Sequence, residues 1–346
     1  MTVLRRLPEI LVPAALVLAT ALLGLGASVY LQAYFLDTLI KVAIVVALYV
    51  FIGNSGVLSF GTISFVALGA WTAGVLTVPQ DQKQFTMPGL SHFLVTTTVG
   101  NYASLALAAA VGAVAAFAAG LPLMRLSGLA AGIATFAVLE ITNNVLTYEQ
   151  KIGPGLNAFS GVPQTTGIWQ AAVGAVICVA AAYVYQRTRF GRMARATRED
   201  PAAARASGIS IYRQRLLAFT LSGALAGFAG GLYVHLQPLQ VNGLYLDLTF
   251  ITLAMLVVGG AGSLLGAVVG ALAVNGIYSF FSAATNGVDV LGWNLSVPTG
   301  TAEIVLGVLM TVVLILRPNG ITGGREFSLP RRRRPVADLE KARVPT

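Results

Sequence analysis

Four sets of residues in this sequence have types and spacing that could do chemistry. Gly53-Asn54-Ser55-Gly56 sets a serine between glycines, as an intramembrane nucleophile would require, but that reaction also needs a histidine on a nearby apolar segment. His235 is the one candidate, because His92 lies in a polar stretch; Leu236-Gln237-Pro238 follows it, without glycines that would let two helices close up. Gly259-Gly260-Ala261-Gly262 has the composition of a phosphate loop, yet no lysine follows and no G-x-x-x-x-G-K-[ST] occurs, so the chain by itself has no means to hydrolyse ATP. Cys178 is the single cysteine and there is no H-E-x-x-H, which excludes a disulfide scaffold and a multi-cysteine metal site. Glu140, with Asn143 and Asn144 close by, is an acid inside an otherwise apolar run. Such a residue is costly in a membrane and faces the interior of a helix bundle, where it either binds a solute amine or ties helices together.

The elements that hold these residues are dictated by composition. Of 346 residues, 56% are hydrophobic and 10% charged, with a mean hydropathy of +0.78. Soluble domains are about a quarter charged, so the chain has too little polar surface to coat a soluble core and reads as a polytopic, all-α membrane protein. The 38 glycines and 14 prolines suit helices packed in lipid. The net charge of +9 is confined to three flanking segments. Residues 1–9 carry +1, residues 186–215 carry eight arginines against Glu199 and Asp200, and residues 317–346 carry eight basic residues against three acids. That is the positive-inside pattern of a membrane protein, not a nucleic-acid footprint.

Runs of roughly 20 apolar residues predict spans at 10–30, 34–52, 58–78, 103–124, 130–147, 168–185, 216–236, within 250–282, and at 302–316. Arg5-Arg6 before the first run resembles a signal peptide, but no small-residue cleavage site follows, so 10–30 is expected as a retained span. Starting inside and alternating puts 79–102 and 148–167 outside and Arg125 and 186–215 inside. Gly259-Gly260-Ala261-Gly262 splits 250–282 into a re-entrant pair or two short passes; either brings both termini to the cytoplasmic side. Gly53-Asn54-Ser55-Gly56 is a similar break, and paired glycine breaks point to a translocation path. Asp37 and Lys41, four apart, predict a local ion pair. Residues 1–324 thus form the membrane domain, with 325–346 a basic tail drawn to anionic lipids.

Residues 191–219, GRMARATREDPAAARASGISIYRQRLLAF, are too polar to span. Asp200-Pro201 supplies an N-cap and a first-turn proline, the alanines after it favour helix, and Gly208 stands where the helix would stop. A short capped helix between two spans is a docking element; the alternative is an ordinary basic loop. The segment resembles the cytoplasmic coupling loop of the branched-chain amino acid ABC transporter permeases through Gly191-Arg192, Ala196, Arg198-Glu199, Ala203-Ala204 and Gly208-Ile209. Where that family often opens its Glu-Ala-Ala stretch with an acid, this chain has Ala202. Four further blocks resemble the family in order: Gly53 through Gly61 with Phe65 and Gly69-Ala70; Leu126-Ser127-Gly128 with Thr135-Phe136 and Glu140; Val257 through Ser263 with Gly266; and Arg317-Pro318-Asn319-Gly320.

The resemblance implies a permease of about eight to ten helices in a bacterial inner membrane. Implied partners are a homologous second permease, two cytoplasmic ATP-binding subunits that hold the ATP-Mg, and an extracytoplasmic solute-binding protein. No cofactor and no metal is expected in this chain. The coupling residues implied are Arg192, Arg195, Arg198, Glu199, Asp200, Ala203, Ala204 and Gly208. Those expected on the path are Gly53, Asn54, Ser55, Gly56, Ser59, Gly61, Phe65, Glu140, Gly259, Gly260, Gly262 and Ser263. The family carries leucine, isoleucine and valine, and relatives carry urea, amides or carboxylates; the sequence does not choose among them. The alternative is a stand-alone secondary transporter or channel using Glu140 or Asp247 for ion coupling, against which stand the docking-like loop and the scarcity of intramembrane charge.

Overall fold

The computed structural model of the chain describes residues 8–155, 157–159, 161–285, 288–290, 293–295, 297–324 and 326. Arg5, Arg6 and the basic tail, apart from Glu326, lie outside them. In chain order the helices are α1 (Pro8–Leu25), α2 (Val29–Ser55), α3 (Thr62–Thr77), α4 (Gln80–Thr86), α5 (His92–Thr96), α6 (Asn101–Leu123), α7 (Leu129–Tyr148), α8 (Ile168–Arg187), α9 (Arg189–Glu199), α10 (Pro201–Ala206), α11 (Ile211–Val234), α12 (Leu246–Gly259), α13 (Leu264–Ala284) and α14 (Thr301–Leu316). Strands β1 (Val288–Val290) and β2 (Trp293–Leu295) form an antiparallel hairpin with Val288 opposite Leu295. Among the described residues, α1, α2, α6, α7, α8, α11 and α13 are long and apolar enough to cross a membrane, and α3, α12 and α14 are shorter apolar helices.

Helix α2 is apolar on every side and buried from Thr38 to Ser55, so it forms the axis of the bundle. Helix α11 packs beside it, with Ser222 Oγ donating to the Ala47 carbonyl at 2.7 Å and the Phe219 ring edge-on to Phe51 and Phe65. Glycines bring α11 into backbone contact with α3 and α6. A Cβ on Gly69 would lie 2.1 Å from the Gly227 carbonyl oxygen, and one on Gly112 would lie 2.3 Å from that of Gly223. Contacts this close are how helices gain packing energy in lipid, where the hydrophobic effect does not drive them together. Lys41 pairs with Asp37 at 2.7 Å, as their spacing predicts. The tertiary fold adds Asn275 of α13, which accepts from Lys41 Nζ at 3.0 Å and donates to Asp37 and Thr38.

The expected 250–282 run divides at 260–263. Gly259 faces Gly266 and Gly270, and Gly270 faces Met255, so α12 and α13 run antiparallel on either side of the break. At 1.5 Å per residue α13 is about 31 Å long, enough for a full pass, whereas α12 is about 21 Å, shorter than the hydrocarbon thickness. The ends of α2, α6, α8 and α12 and the starts of α3, α7, α9, α11 and α13 share one face. Tyr212 of α11 hydrogen-bonds the Leu121 carbonyl there, and Arg187 pairs with Glu9 of α1. This is the basic face.

Candidate functional site

Two features of the bundle depart from simple packing: a polar junction on the basic face and a polar patch on an open flank. The junction is organised by α9. Thr188 caps it, its oxygen accepting from the Gly191 amide at 3.2 Å. Gly191 lets the helix fold back against α8, where a Cβ would lie 2.2 Å from the Tyr185 carbonyl oxygen. Arg195 and Arg198, three apart and so on one face, both reach inward. Arg195 Nε donates to Asn54 Oδ1 at 3.0 Å and its Nη2 to the Gln186 carbonyl at 3.4 Å. Arg198 Nη1 donates to the Gly53 carbonyl at 2.6 Å. Gly56 ends α2 at φ +70, beneath the Arg198 stem, and a Cβ there would lie 2.8 Å from Arg198 Cγ.

Helix α10 follows, built as its sequence predicts. Asp200 accepts from the Ala202 and Ala203 amides at 2.9 and 3.0 Å, Pro201 occupies the first turn, and Gly208 takes φ +75 after the helix. Ala204 is buried, while Arg192, Arg198, Glu199, Asp200, Ala203 and Gly208 are exposed. Beside α10, Arg125, Arg205 and Arg215 together with Met124, Ile209 and Tyr212 line a concavity of about 760 Å³.

The second glycine break completes the junction. A Cβ on Gly53 would lie 2.8 Å from the Ala261 carbonyl oxygen, so α2 touches the α12–α13 turn there. The segment after α14 folds onto the same turn. The Ile321 amide donates to the Val258 carbonyl at 2.8 Å, the Thr322 hydroxyl donates to the Gly259 carbonyl at 2.8 Å, and Ser263 Oγ lies 3.1 Å from Thr322 Oγ1. Glu326 then accepts from the Leu264 amide at 2.7 Å, capping α13, with the Tyr49 hydroxyl 3.5 Å away. Burial pushes the Glu326 carboxyl above its ordinary value although those amides oppose the shift. Four parts of the chain far apart in sequence (53–56, 186–198, 258–264, and 320–324 with Glu326) therefore meet at one point.

The flank lies between α7 and α12. Glu140 stands about 16 Å along α7 from Leu129, near the middle of that helix. Its carboxylate accepts from the Tyr245 hydroxyl and from Asn144 Nδ2, the latter at 2.8 Å. Towards the basic face, Phe60 sits 6.3 Å from Phe136 of α7 and 6.5 Å from Phe250 of α12, ring centre to ring centre. The Phe60 amide donates to Thr135 Oγ1 at 3.2 Å, and a Cβ on Gly61 would lie 2.6 Å from the Thr135 carbonyl oxygen. Gly61 thus lets the start of α3 close onto α7 and sets Phe60 in the flank.

Of the residues expected on a path, Glu140 stands on this flank. Gly53, Asn54, Ser55, Ser59, Gly61, Phe65, Gly259, Gly260 and Ser263 are buried within the chain, while Gly56 and Gly262 are at least partly accessible at the junction. Ser55 ends α2 on the basic face whereas His235 closes α11 at the opposite end, 3.4 Å from Ser104, so no Ser55–His235 dyad forms. Tyr245 and Phe250 carried no sequence signal. Phe60 and Phe136 lay inside recognisable blocks, but nothing in their spacing assigned them a role.

The family described as branched-chain amino acid transport system / permease component matches residues 30–314. The high-affinity branched-chain amino acid transport system permease protein LivM of Salmonella typhimurium is 28% identical over 321 residues, covering 82% of this chain and 68% of that protein. LivM of Escherichia coli is 27% identical over the same shares. The ribose import permease protein RbsC of Escherichia coli is 29% identical over 223 residues, 57% of this chain and 63% of that protein. No solved structure matches the chain. With most of its length matched, the chain belongs to the branched-chain amino acid transport system permease family, as a multi-pass ABC-type permease subunit.

Proposed function

We propose that this chain forms half of the translocation pathway of an ATP-driven importer for branched-chain amino acids or a related small polar solute. It sits in a bacterial inner membrane with the basic face and both termini cytoplasmic, as the charge distribution supports. A homologous permease supplies the other half, two ATP-binding subunits carrying ATP-Mg dock on 186–215, and an extracytoplasmic binding protein delivers the solute. Anionic lipids contact the basic segments.

The observation that carries this reading is the pair of arginines, Arg195 and Arg198, that join α9 to α2. A push on exposed α10 from the ATPases passes through α9 to the end of α2, and through Gly53 to the α12–α13 turn. Helices packed backbone to backbone move as bodies rather than deforming, so such a push changes the flank between α7 and α12, where Glu140 and the three phenylalanines lie.

The test is co-expression with the neighbouring genes, purification in mild detergent and an ATPase assay. A stable complex whose ATP hydrolysis rises with loaded binding protein supports the importer. A chain that purifies alone and moves a solute down an ion gradient in liposomes overturns it.

A further inference from the structure

Three arginines from three parts of the chain converge beside α10. Arg125 follows α6, Arg205 lies in α10 and Arg215 in α11, and all three line the concavity of about 760 Å³ on the basic face. Each is held there by a neutral group. Arg215 Nη1 donates to the Leu126 carbonyl at 3.1 Å and Arg205 Nε to the Pro201 carbonyl at 3.2 Å. The Arg125 guanidinium stands 6.0 Å from the centre of the Tyr212 ring. One carbonyl does not occupy a guanidinium, which carries five N–H donors. Arg205 is also near enough to Arg215 for their charges to repel, so an anion placed between them is attracted by both. Ser127 and Ser210 add hydroxyl groups to the lining. The acids next to α10 are engaged elsewhere: Asp200 caps that helix, and the Glu199 carboxylate lies 3.8 Å from Arg198 Nε.

The surroundings point to the source of the anion. Arg215 lies about 6 Å along α11 from Ile211, a distance comparable to a headgroup layer of roughly 5–8 Å. Leu126, whose carbonyl holds Arg215, and Leu121, whose carbonyl holds Tyr212, both have exposed side chains, as do Leu129 and Leu217. Cations beside exposed leucines match a molecule with a phosphate at one end and acyl chains at the other. Basic pockets between membrane helices on the cytoplasmic side bind anionic headgroups in this way.

We infer that this concavity binds the headgroup phosphate of an anionic phospholipid from the cytoplasmic leaflet, and that the bound phosphate ties α10 to α11 and to the turn between α6 and α7. This rests on the cytoplasmic placement of the basic face and deepens it, from a general attraction to a defined site. Arg125 and Arg215 pair with phosphate oxygens through their planar forks, and Arg205 closes the site from α10. The acyl chains lie along Leu121, Leu126, Leu129 and Leu217. Because α10 receives the push from the ATPases, a lipid in this place sets how firmly that helix moves with α11.

The test measures binding of fluorescent phosphatidylglycerol to the full chain in mild detergent, together with the subunits that co-purify with it. Unlabelled phosphatidylglycerol should displace the probe, whereas phosphatidylcholine and millimolar inorganic phosphate should not. Arg125→Gln combined with Arg215→Gln should raise the Kd about tenfold or more, the size expected for lost hydrogen bonds to a charged group. Arg213→Gln removes an exposed charge outside the lining and should stay within twofold of wild type. Should the double variant fail to fold, Arg205→Gln on exposed α10 decides, with a several-fold rise in Kd expected and an unchanged Kd overturning the site. Equal competition by phosphatidylcholine, or equal weakening by Arg213→Gln, reduces the site to diffuse attraction and overturns it. Displacement by inorganic phosphate makes it a free-anion site and overturns the lipid. Loss of an ATP-binding subunit from the double variant, with lipid affinity unchanged, assigns the concavity to that subunit and does the same. In vesicles of phosphatidylcholine with and without phosphatidylglycerol, solute uptake per ATP hydrolysed should rise with the anionic lipid in wild type and not in the double variant. Equal wild-type uptake in both vesicles overturns the tie to α10. Selective lipid binding by a chain that moves no solute supports the site and sinks the importer reading instead.

Discussion

Arg198 Nη1 donates to the carbonyl oxygen of Gly53 at 2.6 Å, joining a helix outside the membrane spans to the buried end of α2. The stem of the same arginine lies over Gly56, whose φ of +70 ends α2 in the left-handed region open to glycine. One side chain thereby fixes both the end of a central helix and the position of the loop that follows α8.

That link predicts uncoupling. Arg198→Ala removes a charge-assisted hydrogen bond whose acceptor is part-buried, a loss of about 1.5–3 kcal/mol. Solute uptake by the reconstituted complex should fall several-fold while basal ATP hydrolysis remains. Arg198→Lys, which keeps charge but not the planar fork, should recover only part of it. Equal losses of uptake and hydrolysis would show that Arg198 supports assembly rather than transmission.

The glycine contacts of α11 predict a sharp contrast between sites. Gly69→Ala puts a Cβ 2.1 Å from the Gly227 carbonyl oxygen, backbone against backbone with no side chain able to yield. Overpacking of this kind costs about 1–3 kcal/mol or more. Gly276→Ala and Gly307→Ala meet nothing within 4 Å and should be neutral or slightly stabilising. Thermal unfolding of the purified chain in detergent measures the difference; equal midpoints for all three would contradict the packing described.

Lys41, buried, and Asp37, half-buried, form a pair joined by Asn275. Removing one partner strands the other charge, so Lys41→Met should destabilise by about 3–5 kcal/mol. The double variant Lys41→Met with Asp37→Leu removes both charges and should recover most of that loss. If the double variant is as unstable as the sum of the two single variants, the pair is not coupled.

Glu326 predicts a pH dependence. Burial raises its folded-state pKa above the ordinary value of 4.5, so the folded chain holds this proton more tightly than the unfolded one. Its stabilising contribution is therefore complete below the ordinary value and is lost as the pH rises through the raised one. Thermal midpoints of Glu326→Gln should lack that component, and the difference between wild type and variant should shrink or reverse as the pH is raised through the acidic range. A constant difference at every pH would mean that Glu326 does not titrate on folding.

The sequence by itself determined what depends on neighbours along the chain. Composition alone made the protein a helical membrane bundle, Asp200-Pro201 and Gly208 bounded α10, and the four-residue spacing of Asp37 and Lys41 made their pair, because caps and helix-face pairs involve residues within a turn of each other. The glycine breaks were also visible, as interruptions in apolar periodicity. Their surroundings were not. Gly53 meets Arg198 at a separation of 145 residues, Glu140 meets Tyr245 at 105, and Leu264 meets Glu326 at 62. No period or composition encodes such contacts. They exist because missing Cβ atoms let particular backbones touch, and that closeness decides which distant polar groups come within hydrogen-bonding reach. Tertiary structure alone therefore placed the breaks inside the basic-face junction, shortened α12 and set Glu140 on the flank beside Tyr245 and Asn144.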